Sequence, residues 1–286
     1  MREATWILAG LVSLTLATAC GDKSSGPATA PNTGTPAKAY DVSGAVSDTA
    51  ATLELSPVAK QNLVTVVRAA GNIVPAVGRY RELLGGPNNV GTPGDQKVGR
   101  REINWDGVPA GVTNVDNFPV DFFNKNSPRG LVYSTSGTGF RVSDNNFSDI
   151  NPTYGQELSF FSQFKTFAPV GTNVTEAQFF VAGSTTPALT TGFGAVFTDV
   201  DRSHSAVIEY LDAQGQRLLV AVAPPGPPHG GLSFIGAVFK SPIVARVRIF
   251  SGTAPLGAGI DDVSSGGPAD VVSLDDFLYG EPHPQS

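Results

Sequence analysis

The sequence predicts a mainly β protein, an antiparallel β-sandwich or jelly roll, and three observations carry that reading. Glycine and proline, 33 and 22 of the 286 residues, are scattered without period; glycine raises the entropy cost of ordering and proline removes a donor, so helical bundles tolerate neither at this level. From Arg100 onward, short apolar or alternating runs follow one another with no helical pattern between them. Turn residues separate the runs, and Asp212-Ala213-Gln214-Gly215 marks a hairpin whose glycine can take a positive φ. With 41% hydrophobic residues the chain can bury one large core.

The chain opens on Met1-Arg2-Glu3 and an apolar stretch from Ala4 to Ala19. That stretch falls short of the about 20 apolar residues of a membrane span. It closes in the small residues Ala17-Thr18-Ala19, which reads as a signal peptide over 1–19. The single cysteine, Cys20, follows at once, so no disulfide can form within one chain. Ala17-Thr18-Ala19-Cys20 resembles the bacterial lipobox, and the resemblance implies that the Cys20 sulfur receives a diacylglycerol before cleavage in front of it. Leucine usually stands three places before the cysteine of that motif; here Leu16 stands four before, and ordinary signal peptidase also accepts Ala-x-Ala, so simple secretion is the alternative. Gly21 after the cysteine implies the outer membrane if the host has two.

Residues 21–39 contain only Gly, Pro, Ser, Thr, Ala, Asn, Lys and Asp, too little apolar surface to order themselves. Residues 20–39 therefore read as a lipidated tether, spanning roughly 25 Å as a coil. Residues 40–96 read as a small helical region. Ser56-Pro57 offers an N-cap and a first-turn proline, Ala59, Leu63, Val66, Val67 and Ala70 recur at helical spacing, and Gly71 stops the helix. A second helix starts at Asn72, carries Val77, Tyr80 and Leu84 on one side, and ends at Gly85-Gly86. The run Leu63–Val67 is β-branched enough to form a strand instead.

Residues 97–286 read as the sandwich. The strands expected are Arg101–Trp105, Gly130–Ser134, Gly139–Val142, Ser162–Phe167, Ala177–Ala182, Gly194–Thr198, Ala206–Leu211, Arg217–Ala223, Leu232–Phe239, Ile243–Phe250 and Val271–Tyr279. Arg100-Arg101-Glu102-Ile103-Asn104-Trp105-Asp106-Gly107, Asn126-Ser127-Pro128-Arg129-Gly130, Ser136-Gly137-Thr138-Gly139-Phe140, Val196-Phe197-Thr198-Asp199-Val200-Asp201 and Asp275-Asp276-Phe277-Leu278-Tyr279-Gly280 resemble a group of exported bacterial β-sandwich proteins. The resemblance covers about 97–281 and implies fold and export without supplying a catalytic residue.

The formal charge is −6, from 25 acidic and 19 basic residues, and no basic run forms a patch that could neutralise a phosphate backbone, so nucleic acid is not an expected partner. Alternation in the first strand puts Glu102, Asn104 and Asp106 on one face, and in the last strand Asp275 and Asp276 fall on opposite faces, so one carboxylate must point inward. A buried carboxylate needs a cation, a basic side chain or water. Glu102, Asp106, Asp275 and Asp276 are thus candidate ligands of a structural Ca²⁺, an arrangement that resembles carbohydrate-binding jelly rolls in outline; the alternative is a basic partner such as Arg100, Arg101 or Arg141.

Asp199-x-Asp201-x-x-His204 is a weaker metal pattern in a loop, while His229 and His283 form no zinc spacing. Ser162-x-x-Lys165 and Ser143-Asp144-Asn145 match fragments of serine β-lactamase motifs in reversed order, without the Lys-Thr-Gly element. The function expected is a membrane-anchored, extracytoplasmic module that displays a sandwich for recognition of a glycan or protein, stiffened by Ca²⁺. The alternatives are an extracellular hydrolase acting on polysaccharide, with acids in the loops after Val200 or Ile260, and a structural envelope protein.

Overall fold

The structure, a computed structural model, describes residues 40–43 and 54–285. The expected signal peptide, Cys20 and the tether lie outside the described residues. In chain order the strands are β1 (Tyr40–Ser43), β2 (Glu54–Leu55), β3 (Val64–Ala70), β4 (Arg100–Ile103), β5 (Leu131–Ser134), β6 (Gly139–Ser143), β7 (Thr166–Val170), β8 (Val174–Phe179), β9 (Ala188–Leu189), β10 (Gly192–Thr198), β11 (Ala206–Leu211), β12 (Arg217–Val222), β13 (Leu232–Phe239), β14 (Arg246–Ser251), β15 (Ser273–Gly280) and β16 (His283–Pro284). The helices are α1 (Pro57–Gln61), α2 (Val74–Leu84), α3 (Phe122–Lys125) and α4 (Tyr154–Glu157).

The fold is the expected antiparallel sandwich. One sheet of eight strands runs β1-β3-β13-β10-β15-β7-β6, with β4 also paired to β15, and the second runs β2-β12-β11-β14-β8-β5. Alternation along each strand sends one set of side chains between the sheets. Phe193, Phe197, Ile235 and Phe277 of the first sheet meet Tyr133, Phe179, Ile208 and Ile249 of the second in one core. Aromatic rings fill one end of it: Trp105 stacks on Phe167 at 4.0 Å between centroids and 7° between planes, and Phe277 meets Trp105 edge-on at 5.3 Å.

The segment 40–96 departs from its expected helical character. The first helix is cut to the short α1, capped by the Ser56 hydroxyl accepting from the Ala59 N–H, and the β-branched run becomes β3. β3 pairs with β13 from Val64↔Phe239 to Ala70↔Ser233, sending Val64 and Val66 into the core and Val67 and Ala69 to the opposite face. Only α2 survives as a full helix, and this segment is part of the sandwich rather than a separate region.

α2 covers the outer face of the larger sheet. Its Ala76, Val77, Tyr80 and Leu84 pack on Val67, Val196, Phe234 and Leu278. The paired residues Gly194 and Gly236 make the slot for Tyr80: a Cβ on Gly236 would stand 2.6 Å from that ring and one on Gly194 2.8 Å. The Tyr80 hydroxyl donates to the Ala237 carbonyl at 3.1 Å. The outer face of the smaller sheet carries charges instead. Arg248, flanked in register by Glu209 and Glu176, reaches them at 3.3 and 2.7 Å.

Antiparallel register gathers several loops at one end of the larger sheet. Thr198 pairs with both Leu232 and Ser273, so the chain leaving β10 and the segments entering β13 and β15 converge there. The segment between β6 and β7, which contains α4, joins them, since Ser143 pairs with Thr166. A small cluster around Phe147, Tyr154, Leu158, Ala269 and Val271 ties α4 to the loop before β15, and the Tyr154 hydroxyl donates to the Ile260 carbonyl at 2.6 Å.

Candidate functional site

The four carboxylates singled out in the sequence come into one neighbourhood, at the seam of β4 and β15. Strand alternation does not place them all. β4 ends at Ile103, and Trp105, at φ 62°, turns the chain before Asp106. In β15 the register shifts against β10, so that Asp275 and Asp276 together oppose Val196, and this bulge buries both. The expectation that one would point inward and the other outward is corrected accordingly.

Protein groups answer most of the charge at this seam. Both Glu102 oxygens accept from Arg81, the closest contact being 2.8 Å, and Oε1 also accepts from Arg100 Nε at 2.7 Å. Asp276 lies 3.8 Å from Arg81. Asp275 accepts from the Phe161 N–H at 2.7 Å and the Ser162 hydroxyl at 2.9 Å. Burial, reinforced by Asp276, pushes Asp275 well above the usual carboxylate range. Burial first, and Asp276 second, push Asp106 up to about 7, and its Oδ1 has no partner. Of the basic partners weighed for these acids, Arg100 holds Glu102, while Arg101 pairs with Glu281 at 2.6 Å and Arg141 with Asp116 at 2.7 Å and with Asp149.

A second group of acids, at the loop end of the larger sheet, is built differently. Glu157 ends α4; Asp199 and Asp201 follow β10; Asp262 and Asp270 come from the loop before β15. Carboxylate oxygens of Glu157, Asp199 and Asp262 lie within 4.8 Å of one another, and so do those of Asp201, Asp262 and Asp270. Asp199 holds φ 64°, a left-handed conformation that Asp tolerates better than most residues, and its backbone N–H donates to the Gly231 carbonyl at 2.8 Å. The loops after Val200 and Ile260, marked in the sequence as a place for acids, meet here.

The group is deeply placed: Glu157 is 3% exposed, and Asp199 and Asp262 are 0% exposed. Donors from the protein reach it unevenly. Glu157 accepts from the Ser264 and Ser265 hydroxyls and contacts His229 Nδ1 at 2.9 Å. Asp262 accepts from the N–H groups of Ser264 and Val271 at 2.7 and 2.6 Å, and Asp270 from that of Arg202 at 2.8 Å. Asp199 accepts from the Gly230 N–H at 2.9 Å through Oδ1, but its Oδ2 is buried without a partner, as is Oδ2 of Asp201. Among the ion pairs between described residues, only His229 with Glu157 touches the five acids.

Two ionised carboxylates at 4.8 Å repel by about 3.5 kcal/mol at an effective dielectric of ~20. That repulsion adds to burial. Asp199 is pushed up to about 8 by burial, with Asp201, Asp262 and Glu157 adding to it against the Gly230 N–H. Burial, then Asp262 and Asp270, push Asp201 up to about 6, and burial also raises Asp270. For Glu157, burial is outweighed by Ser264, Ser265 and His229, which hold it below the usual range. The arrangement can take up protons or a cation. All of its charged donors are oxygens, the set suited to a hard ion and not to zinc.

The remaining motifs resolve into local structure. The Ser162 hydroxyl donates to Asp275 and to the Asn104 carbonyl, while Lys165 Nζ donates to the Val108 carbonyl. The expected strand Ser162–Phe167 accordingly starts only at Thr166, with Phe164 at φ 86°. Of Asp199-x-Asp201-x-x-His204, the two aspartates enter the acidic group and His204 does not.

Fold and site define an antiparallel β-sandwich protein with one helix-covered face and an acid-rich loop end. No protein-family model matches the chain, and no curated protein matches it. Among solved structures, 49% of the chain is similar to the enzymatically active domain of tailspike protein 4 of bacteriophage CBA120, at 15% identity and a TM-score of 0.16. The match spans 20% of that chain, and a likeness this slight says nothing of function. No helix among the described residues is long and apolar enough to cross a membrane.

Proposed function

We propose that the chain is an exported protein of the cell envelope, anchored by lipid at Cys20, that displays its β-sandwich as a recognition module and is not a hydrolase. The burial of the acid group supports the non-catalytic part. A polysaccharide has to lie between its two catalytic carboxylates, whereas Glu157, Asp199 and Asp262 are at most 3% exposed and are enclosed by the loops they join. Their role is to hold those loops, the part of a sandwich that most often carries recognition. A protein ligand is favoured over a sugar, because Trp105 and every tyrosine from Tyr80 onward are buried and form no stacking platform.

The anchor rests on Ala17-Thr18-Ala19-Cys20 and on the polar spacer that follows it up to β1. Intact-mass analysis of the protein extracted from membranes tests it. The expected species begins at Cys20 and carries acyl chains, and Cys20→Ser moves the protein to the soluble fraction. A soluble native protein with an unmodified Cys20 contradicts the reading.

A further inference from the structure

We propose that Glu157, Asp199 and Asp262 form a binding site for a hard divalent cation, Ca²⁺ in preference to Mg²⁺ or Zn²⁺, with Asp201 and Asp270 completing its acidic wall. The site does not depend on the lipid anchor, and either reading can fail alone.

Three features point to a cation and not merely to crowded acids. The first is the orphaned oxygen: Asp199 is 0% exposed, its Oδ1 is taken by the Gly230 N–H, and Oδ2 has no donor although its neighbours are carboxylates. Buried carboxylate oxygens find a partner in native proteins, and no protein donor reaches this one. The second is spacing. Oxygens on opposite sides of a Ca²⁺ stand about 4.6–5.2 Å apart, twice the Ca–O distance, which three oxygens within 4.8 Å of one another satisfy. The third is charge. Five carboxylates converge, and among the described residues the His229 imidazole is the one basic side chain paired to any of them, whereas the seam of β4 and β15 supplies the guanidinium groups of Arg81 and Arg100 to its acids.

Calcium fits the donor set better than its competitors. It takes six to eight oxygens in flexible geometry, whereas Mg²⁺ demands a near-ideal octahedron and keeps its waters. Zn²⁺ favours nitrogen and sulfur ligands. The ligands come from α4, from the loop after β10 and from the loop before β15, so one ion ties three separate stretches of chain. The loop before β15 gains most, because between Ser251 and Ser273 it has no strand or helix of its own.

The test is calorimetric titration of the chelator-treated full chain with Ca²⁺, alongside thermal melts in Ca²⁺ and in EDTA. Saturable binding is expected, with a rise in melting temperature of about 5 °C or more at a hundredfold excess over Kd. Asp199→Asn should weaken binding ~10-fold or more while leaving the melting temperature in EDTA near pH 7 little changed, because a neutral amide of the same shape replaces a carboxyl that burial keeps protonated in the absence of the ion. Should Asp262→Asn fail to fold, Asp201→Asn serves as the second ligand variant. No heat and no shift between Ca²⁺ and EDTA would overturn the proposal. So would Ca²⁺ binding that is unchanged in both Asp199→Asn and Asp201→Asn.

Discussion

At the seam of β4 and β15, Glu102 and Asp276 meet the guanidinium groups of Arg81 and Arg100, whereas at the loop end Asp199, Asp201, Asp262 and Asp270 meet one another. Both regions are buried carboxylate clusters on the same sheet. The difference is where the countercharge comes from. The guanidinium groups of Arg81 on α2 and Arg100 on β4 are installed when the chain folds, so the seam carries countercharge of its own for Glu102 and Asp276, while Asp106 and Asp275 are held mainly by burial. The loop end has N–H and O–H donors for some of its oxygens and a single histidine, which leaves its remaining charge to protons or to an ion from solution. Identical residue types therefore do structural work in one place and create a site in the other.

Removing built-in countercharge should have the largest effect, and the most complete example lies beyond either cluster. The side chains of Arg101 and Glu281 are both 0% exposed and share two contacts of 2.6 Å. Arg101 also donates to the carbonyls of Val90, Thr92 and Pro128 at 2.9, 2.7 and 3.1 Å. Arg101→Met should cost about 3–5 kcal/mol in urea unfolding, since it strands a buried carboxylate. Arg81→Met, at a partly exposed position, should cost about 1–2 kcal/mol, and Ca²⁺ should not restore it. Recovery in Ca²⁺ would mean that the seam, too, accepts an ion.

The pH profile separates the regions further. Asp199, Asp201, Asp106 and Asp276 are raised from 3.8 to about 8, 6, 7 and 6 respectively. An acid that holds its proton more tightly when folded contributes stability below its unfolded pKa and loses it as pH rises through the folded one. The melting temperature in EDTA should therefore fall between pH 5 and 8. Saturating Ca²⁺ should remove the part due to Asp199 and Asp201 and leave that due to Asp106 and Asp276. A profile identical with and without Ca²⁺ would erase the distinction between the regions. The smallest effect belongs to the solvent-facing charges of the smaller sheet, where Glu176→Gln should change stability by less than about 1 kcal/mol despite ion pairs with both Arg246 and Arg248.

Much of the sandwich was legible from alternation. Ala206–Leu211 and Leu232–Phe239 fall where the sequence places them, the first because its burial alternates and the second because it is a short apolar run buried on both faces, with turn residues bounding each. β3 was harder, since Leu63, Val66, Val67 and Ala70 satisfy helical spacing while the run Leu63–Val67 is β-branched enough for a strand, and only pairing with β13 decides between them. The seam acids were found because two strands bring them together, but the bulge at Asp275-Asp276 and the salt bridge from α2 depend on packing that sequence spacing does not express. The loop-end site was less visible still. Its members come from positions 157, 199, 201, 262 and 270, and only Asp199-x-Asp201 forms a local pattern. Antiparallel register at Thr198, not sequence proximity, assembles the rest.

Native mass spectrometry in Ca²⁺ of the wild-type chain, Asp199→Asn and Asp276→Asn compares the two regions most directly. The expected result is a bound Ca²⁺ on the wild type and on Asp276→Asn, and its loss from Asp199→Asn. Loss from Asp276→Asn with retention on Asp199→Asn would place the ion at the seam of β4 and β15 and contradict the account.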